Sequence, residues 1–370
     1  MSVYIQHIET LVPGNAYSQD FAGERMQAWL DGDKQRRLAD HVYRHSGIEN
    51  RYSVLADFRP GVVDPLFKIG PDGKPVEPGT RERNERFAGE ARRLAVEVTR
   101  RAIAHCPGAD PADITHVITT TCTGFSNPGP DYYIVREANL RLTTQRYALG
   151  FMGCYAALPA LRMAWQFCRA DPSAVVLVVA IELCSLHLHF ENGIDSLLAN
   201  AIFADGVAAA VVSAREPPVA RTVYRLDNFA SALIPGAEKD MAWRIGNKGF
   251  EITLSTYVPD VIGANIRSLV EPPLADSGLR VADIGRWAIH PGGKAILDKV
   301  QKELELTPEQ IQASRAVLRR YGNMSSATSL FVLKELMQAN RAEISHERVC
   351  AVAFGPGLTI ETAILCLMEG

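Results

Sequence analysis

Three residues in this chain combine a reactive side chain with a backbone context that can put it to use. Cys154 follows Gly153 at the junction between an apparent strand and a helix. A thiol there feels the positive end of the helix dipole, which is expected to lower its pKa and supply thiolate near neutrality. Most cysteines are simply small buried hydrophobes; the sharp Gly turn sets this one apart. His290 ends the apolar run RWAI and precedes Pro291-Gly292-Gly293, a setting that turns an imidazole toward a cavity. Asn323 lies in the turn YGNMSS, where asparagine would ordinarily serve as a helix N-cap. Together the three suit acyl transfer. The cysteine takes an acyl group from a thioester, and His and Asn donate hydrogen bonds to a carbonyl oxygen that becomes an enolate or oxyanion. Decarboxylation of a malonyl thioester makes such an enolate without a strong base, and its attack on acyl-Cys forms a carbon–carbon bond.

The elements that must bring these residues together are legible as a repeat. DITHVITTTCTG matches DIGRWAIHPGG, each a strand ending at a polar site. MGCYAALPALRMAW matches YGNMSSATSLFVLKELM, each a Gly–polar turn opening a helix. SAVVLVVAIELCS matches HERVCAVAFGPG, each an apolar β-branched run. FADGVAAAVVSA and LTIETAILCLM supply further strands. The copies stand roughly 170 residues apart. Two βαβ-rich halves, 1–215 carrying the Cys and 216–370 carrying the His and Asn, are therefore expected to pack pseudo-symmetrically, with strand ends and helix N-termini converging on one site. Residues 20–50 and 87–105 read as helical. Residues 56–86, rich in Pro, Gly and charge, read as a surface excursion outside the core.

Composition narrows the function classes. With 370 residues the chain is too long for one simple core. A net charge of -3 argues against a nucleic-acid partner. The cysteines are odd in number, seven, and no CxxC occurs, so neither a disulfide framework nor a structural zinc site is expected, and a reducing cytoplasm fits. No signal peptide is visible, and the longest apolar run, 174–181, is too short for membrane insertion. No P-loop, HExxH or GxGxxG at a strand–helix turn occurs. The reading requires no metal and no cofactor, only acyl thioesters as substrates.

At these motifs the chain resembles the chalcone synthase superfamily, the type III polyketide synthases, over nearly its whole length. The resemblance rests on GCYAALPALRMA, AIHPGGKAILDKV, YGNMSSATSLFVL and AFGPGLTIETAIL. It implies an α/β five-layered (αβαβα) thiolase fold, a homodimer, and iterative use of malonyl-CoA on an acyl-CoA starter. The AFGPG stretch (Phe354, Gly355, Pro356, Gly357) separates it from ketoacyl synthases that start fatty-acid synthesis and share the triad. On this resemblance Phe203 is a gatekeeper, Ile252 falls where a second aromatic gatekeeper usually stands, and Cys122, Cys184, His187, Trp243 and Ser325 line the cavity. The replacements favour bacterial-type enzymes making alkylpyrones or alkylresorcinols. Arg36, Arg37, His41, Arg44, His45 and Lys294 are the candidates for coenzyme A. Asn127, in a Pro/Gly-crowded loop, corresponds to a residue that enters the partner subunit's cavity, and the Asn127–Pro128 bond is expected to be cis. Two other readings remain: a ketoacyl synthase that condenses once, taking acyl groups from coenzyme A or from an acyl carrier protein, and a thiolase-fold scaffold without activity.

Overall fold

The computed structural model describes residues 1–59, 61–190, 193–219, 221–338 and 346–369. The first half runs β1 (Tyr4–Leu11), β2 (Asn15–Ser18), α1 (Gln19–Trp29), α2 (Asp33–Arg44), β3 (Asn50–Ser53), α3 (Thr80–His105), β4 (His116–Thr121), α4 (Pro130–Glu137), β5 (Gln145–Gly150), α5 (Ala157–Ala170), β6 (Val175–Leu183), α6 (Ile194–Ile202) and β7 (Asp205–Ser213). The second half runs β8 (Thr222–Leu233), β9 (Met241–Gly246), β10 (Gly249–Leu254), α7 (Val258–Asp276), β11 (Arg286–Ile289), α8 (Lys294–Glu303), α9 (Gln312–Tyr321), α10 (Ala327–Gln338), β12 (Glu347–Gly355) and β13 (Thr359–Glu369).

Nine strands are joined in the order β11-β12-β13-β8-β1-β7-β6-β4-β5. The repeat read from the sequence is visible in the pairing senses. Outward from the centre, β1–β7 and β7–β6 are antiparallel and β6–β4 is parallel. In the other direction β8–β13 and β13–β12 are antiparallel and β12–β11 is parallel. In the sheet, the two halves are joined where β1 pairs with β8, at Tyr4↔Arg225 and Ile5↔Tyr224.

Side-chain alternation along the strands resolves the layers. On β6, Val176, Val178 and Ala180 join the central core with α5 and α10, while Val175, Leu177, Val179 and Ile181 pack outward with α3 and α4. On β12, Ala351 and Ala353 face the same central core, whereas Cys350, Val352 and Phe354 face α7 and α8. The result is helix, sheet, helix, sheet, helix: the thiolase arrangement. The two central helices are covered on both sides. Residues 327–333 of α10 are all buried, which is why that segment reads as apolar and small-polar all round.

One expectation fails. The 56–86 stretch is not wholly outside the core, because Phe67 is fully buried beneath Phe190 and the Arg83 guanidinium. Its Pro/Gly content sets the turns of an excursion that folds back to anchor one aromatic ring. Pro60 of that stretch lies outside the described residues.

Candidate active site

The turn between β5 and α5 holds Cys154. Phe151 and Gly153 take positive φ, 61° and 93°. A side chain at Gly153 would collide with Pro356, so the AFGPG segment packs directly on the turn that carries Cys154. Gly355 serves the same approach from the other side, since a β-carbon there would run into the Tyr155 ring and crowd the Cys154 backbone nitrogen. The second turn, between α9 and α10, opens at Gly322 (φ 72°), and Asn323 follows. Asn323 is tied to α6 by its backbone: its N–H donates to Ile202 O, and its C=O accepts from Ala204 N. The Asn323 Oδ1 accepts from the Ser325 N–H at 2.9 Å and from Thr328 Oγ1. This fixes the amide so that Nδ2 is the end left to donate, near Gly292 O at 3.4 Å.

Cys154, His290 and Asn323 open into one cavity of about 370 Å³. The same cavity is lined by Ser325, Phe203, Cys122, Cys184, His187, Trp243, Ile252, Phe354 and Pro356. Gly355 and Gly357 are not on its surface; Gly355 shapes it through backbone packing. His290 is held by its backbone N–H to Val352 O, yet both ring nitrogens are buried with no partner. Burial alone drives its pKa down to about 3, so the imidazole is neutral. A buried polar ring with nothing to bond is costly unless a ligand completes it.

The thiol departs from expectation. Burial pushes the Cys154 pKa up to about 12, Ser325 and Asn323 pull it down, and Glu182 pushes it up again. The residue is partly buried in the cavity wall, and desolvation outweighs the helix dipole. In the free protein the pair is therefore neutral thiol and neutral imidazole.

Glu182 was not visible in the sequence reading. It is the penultimate residue of β6, fully buried, and accepts from Ser326 Oγ at 2.5 Å, Cys122 N at 3.0 Å and Thr123 Oγ1 at 3.1 Å. Burial raises its pKa to about 7 despite these bonds. A lone carboxylate in an otherwise apolar strand was the available signal. Around it the wall is cross-linked: Gly153 N donates to Cys122 Sγ at 2.8 Å, and Trp243 Nε1 donates to Cys122 O at 2.7 Å. His187 is neutral, its pKa lowered to about 3 by burial, and it accepts from Phe250 N while its other nitrogen bonds Thr123 O. It is a fixed wall, stacked on Phe250 at 4.2 Å. Ile252 and Trp243 are paired across the β9–β10 hairpin.

Phe203, with Leu188 and Asn200, is shared between this cavity and a second, aromatic pocket lined by Tyr17, Phe21, Trp29, Tyr43 and Phe58. Its backbone is gripped by Arg51 Nη1, which donates to Phe203 O at 2.9 Å and to Asn200 O. Of the basic candidates, His41, His45 and Lys294 line the main cavity, the two imidazoles stacked at 4.3 Å. Arg36, Arg37 and Arg44 do not. Arg36 bonds Leu30 O and Arg44 pairs with Asp40 on the solvent face of α2, and Arg37 is exposed. The i,i+4 spacing puts 37, 41 and 45 on one face, and the cavity takes only the C-terminal end of that face, which leaves Arg37 a turn away from it. The Asn127–Pro128 bond is cis, and Asn127 is exposed, outside the cavity of its own chain.

Comparison with known proteins agrees with this geometry. Residues 10–217 match the N-terminal domain of chalcone and stilbene synthases, and residues 225–368 match the C-terminal domain. The chain belongs to the chalcone and stilbene synthase family. It is 34% identical over 365 residues to the alpha-pyrone synthesis polyketide synthase-like Pks18 of Mycobacterium tuberculosis, covering 96% of this chain and 89% of that one. It is 36% identical to bisdemethoxycurcumin synthase of Oryza sativa subsp. japonica, over 74% of this chain and 70% of the relative. Among solved structures, PKS-I from the brown alga Ectocarpus siliculosus superposes with a TM-score of 0.91 at 31% identity, covering 100% of this chain and 99% of the other. The 1,3,6,8-tetrahydroxynaphthalene synthase of Streptomyces coelicolor A3(2) gives 0.86 at 28% identity, with both chains covered in full. This member of the family is a type III polyketide synthase, an acyltransferase that works by decarboxylative condensation. Among the described residues no helix is long and apolar enough to cross a membrane.

Proposed function

We propose that Cys154 takes the acyl group of an acyl-CoA starter, releasing coenzyme A, and that His290 and Asn323 hold the thioester oxygen of malonyl-CoA. Loss of carbon dioxide leaves the enolate of acetyl-CoA, whose negative oxygen accepts both hydrogen bonds. The enolate carbon attacks the acyl-Cys154 carbonyl, the C–S bond breaks, and the β-ketoacyl-CoA leaves. Reloading that product on Cys154 allows further rounds. The observation carrying this reading is the partnerless, buried His290 ring beside an Asn323 amide locked in orientation, both facing the same cavity as Cys154.

For the product we infer an α-pyrone or resorcinol-type ring on an aliphatic starter. In support, Ile252 is aliphatic, and Met241, Leu254 and Val258 extend the apolar wall. Coenzyme A enters past His41, His45 and Lys294, in a cytoplasmic setting where its thioesters are found. The working unit is a homodimer in which Asn127 reaches the partner, and the two halves of each chain divide at 215/216, between β7 and β8. Product mass spectrometry with malonyl-CoA and a series of acyl-CoA starters tests the reading. Cyclised tri- or tetraketides support it. A single linear β-ketoacyl product, or turnover only from an acyl carrier protein, would instead indicate a one-step ketoacyl synthase. Light scattering that returns only monomer would remove the dimer.

A further inference from the structure

Remote from the cavity, β1 carries His7 and Glu9, which do not face the central core. The β1–β7 register shifts between Ile5 and His7, a bulge centred on Gln6. Such a bulge re-aims the residues after it. Ile5 and Ile8 both face the central core, and His7 and Glu9, two apart, point elsewhere together. Pairing of β1 with β8 stops at Ile5, so this stretch has an open edge. His105, in the last turn of α3, comes to that edge from one side, and Lys334 of α10 comes from the other.

Two imidazole nitrogens converge on one carboxylate oxygen. His105 Nδ1 lies 2.7 Å from Glu9 Oε2, and His7 Nε2 lies 3.5 Å from the same atom. One ligand atom from each of the three residues lies within 4.8 Å of the others, and the rings are edge to face at 6.2 Å. Lys334 Nζ takes the other oxygen, Oε1, at 2.6 Å, and the Thr10 N–H bonds Oε1 as well. Lys334 thus already balances the Glu9 charge. Bond lengths of about 2.0–2.2 Å to a tetrahedral ion put ligand atoms about 3.3 Å apart, within a small adjustment of the separations here.

We propose that His7, Glu9 and His105 form a binding site for a divalent transition ion of the zinc type, with water completing the shell. The ligand set of two imidazoles and one carboxylate favours zinc, copper or nickel over magnesium or calcium. None of the three residues lines the catalytic cavity, so the ion has no part in condensation. It ties β1 to the end of α3, closing a loop of 96 residues, and stabilises the fold through binding. Lys334 and Thr10 orient the carboxylate from behind, as outer partners do at metal sites.

The test uses the tag-free, metal-stripped chain titrated with Zn²⁺ by calorimetry and with Co²⁺ by absorption spectroscopy. One ion per chain is expected, with a higher melting temperature in Zn²⁺, and Co²⁺ bands lacking a thiolate charge-transfer feature. His105→Ala, on an exposed helix end, and His7→Ala should each weaken binding on the order of 100-fold or more, beyond the loss typical of an outer partner. His45→Ala, which disrupts the stacked imidazoles at the cavity mouth, should leave the affinity unchanged. Absence of stoichiometric binding, a thiolate band placing the ion on cysteine, or full affinity in both His7→Ala and His105→Ala would each overturn the site and leave an ion-pair network only.

Discussion

A β-carbon added to Gly153 would stand 2.1 Å from Cδ of Pro356, closer than two carbons can approach. The Cys154 turn and the loop after β12 are therefore fitted to each other through the absence of one methyl group. Gly153 also sits at φ 93°, where L-residues are strained. Gly153→Ala should cost roughly 2–5 kcal/mol of stability from strain and overpacking combined, with condensing activity falling alongside. Urea denaturation checks it, and an unchanged midpoint would mean the turn does not sit against Pro356.

Phe203, with Leu188 and Asn200, lines both the main cavity and the aromatic pocket. Phe203→Ala should join the two and move the preferred starter toward longer acyl chains, seen as a shifted optimum in kcat/KM across a homologous acyl-CoA series. A lower melting temperature with an unchanged optimum would reduce Phe203 to packing.

Glu182 is raised by burial from its ordinary 4.5 to about 7. Its folded value lies above its unfolded one, so its contribution is full below pH 4.5 and is lost as pH rises through 7. That interval corresponds to about 3 kcal/mol. Glu182→Gln, which cannot ionise, should therefore gain stability relative to the parent as pH rises from 4.5 to 7, measured by denaturation at several pH values. The same change removes a negative charge that disfavours the Cys154 thiolate. The midpoint of Cys154 alkylation against pH should move down. A midpoint that stays put or rises would show that Glu182 does not act on the thiol.

Much of this arrangement could be read before any coordinates. Cys154, His290 and Asn323 stand out because each follows a strand or helix end and adjoins a glycine-bearing turn, and because Cys154 and Asn323 occupy equivalent places in a repeat. The strand pairing senses repeat as that alignment requires. What stayed hidden depends on distance in the chain. Glu182 meets Ser326, 144 residues away, and Cys122, 60 residues away, and nothing local in AIELCS announces either. The thiol pKa was misjudged because a sequence displays the helix start but not the depth of burial that outweighs it. The basic helix misled in part, since only His41 and His45 of its candidates turn to the cavity. Phe67 escaped notice because a Pro/Gly-rich stretch reads as exposed even when one ring returns to the core.

The central claim is a division of labour: Cys154 carries the growing chain, while His290 and Asn323 hold the enolate oxygen. It is tested most directly by incubating Cys154→Ala with malonyl-CoA and an acyl-CoA starter, following carbon dioxide release and extended products together. The account predicts that decarboxylation persists, because both hydrogen-bond donors remain, while extension is abolished for want of a covalent acyl-enzyme. Polyketide formation by Cys154→Ala at the parent rate would contradict it.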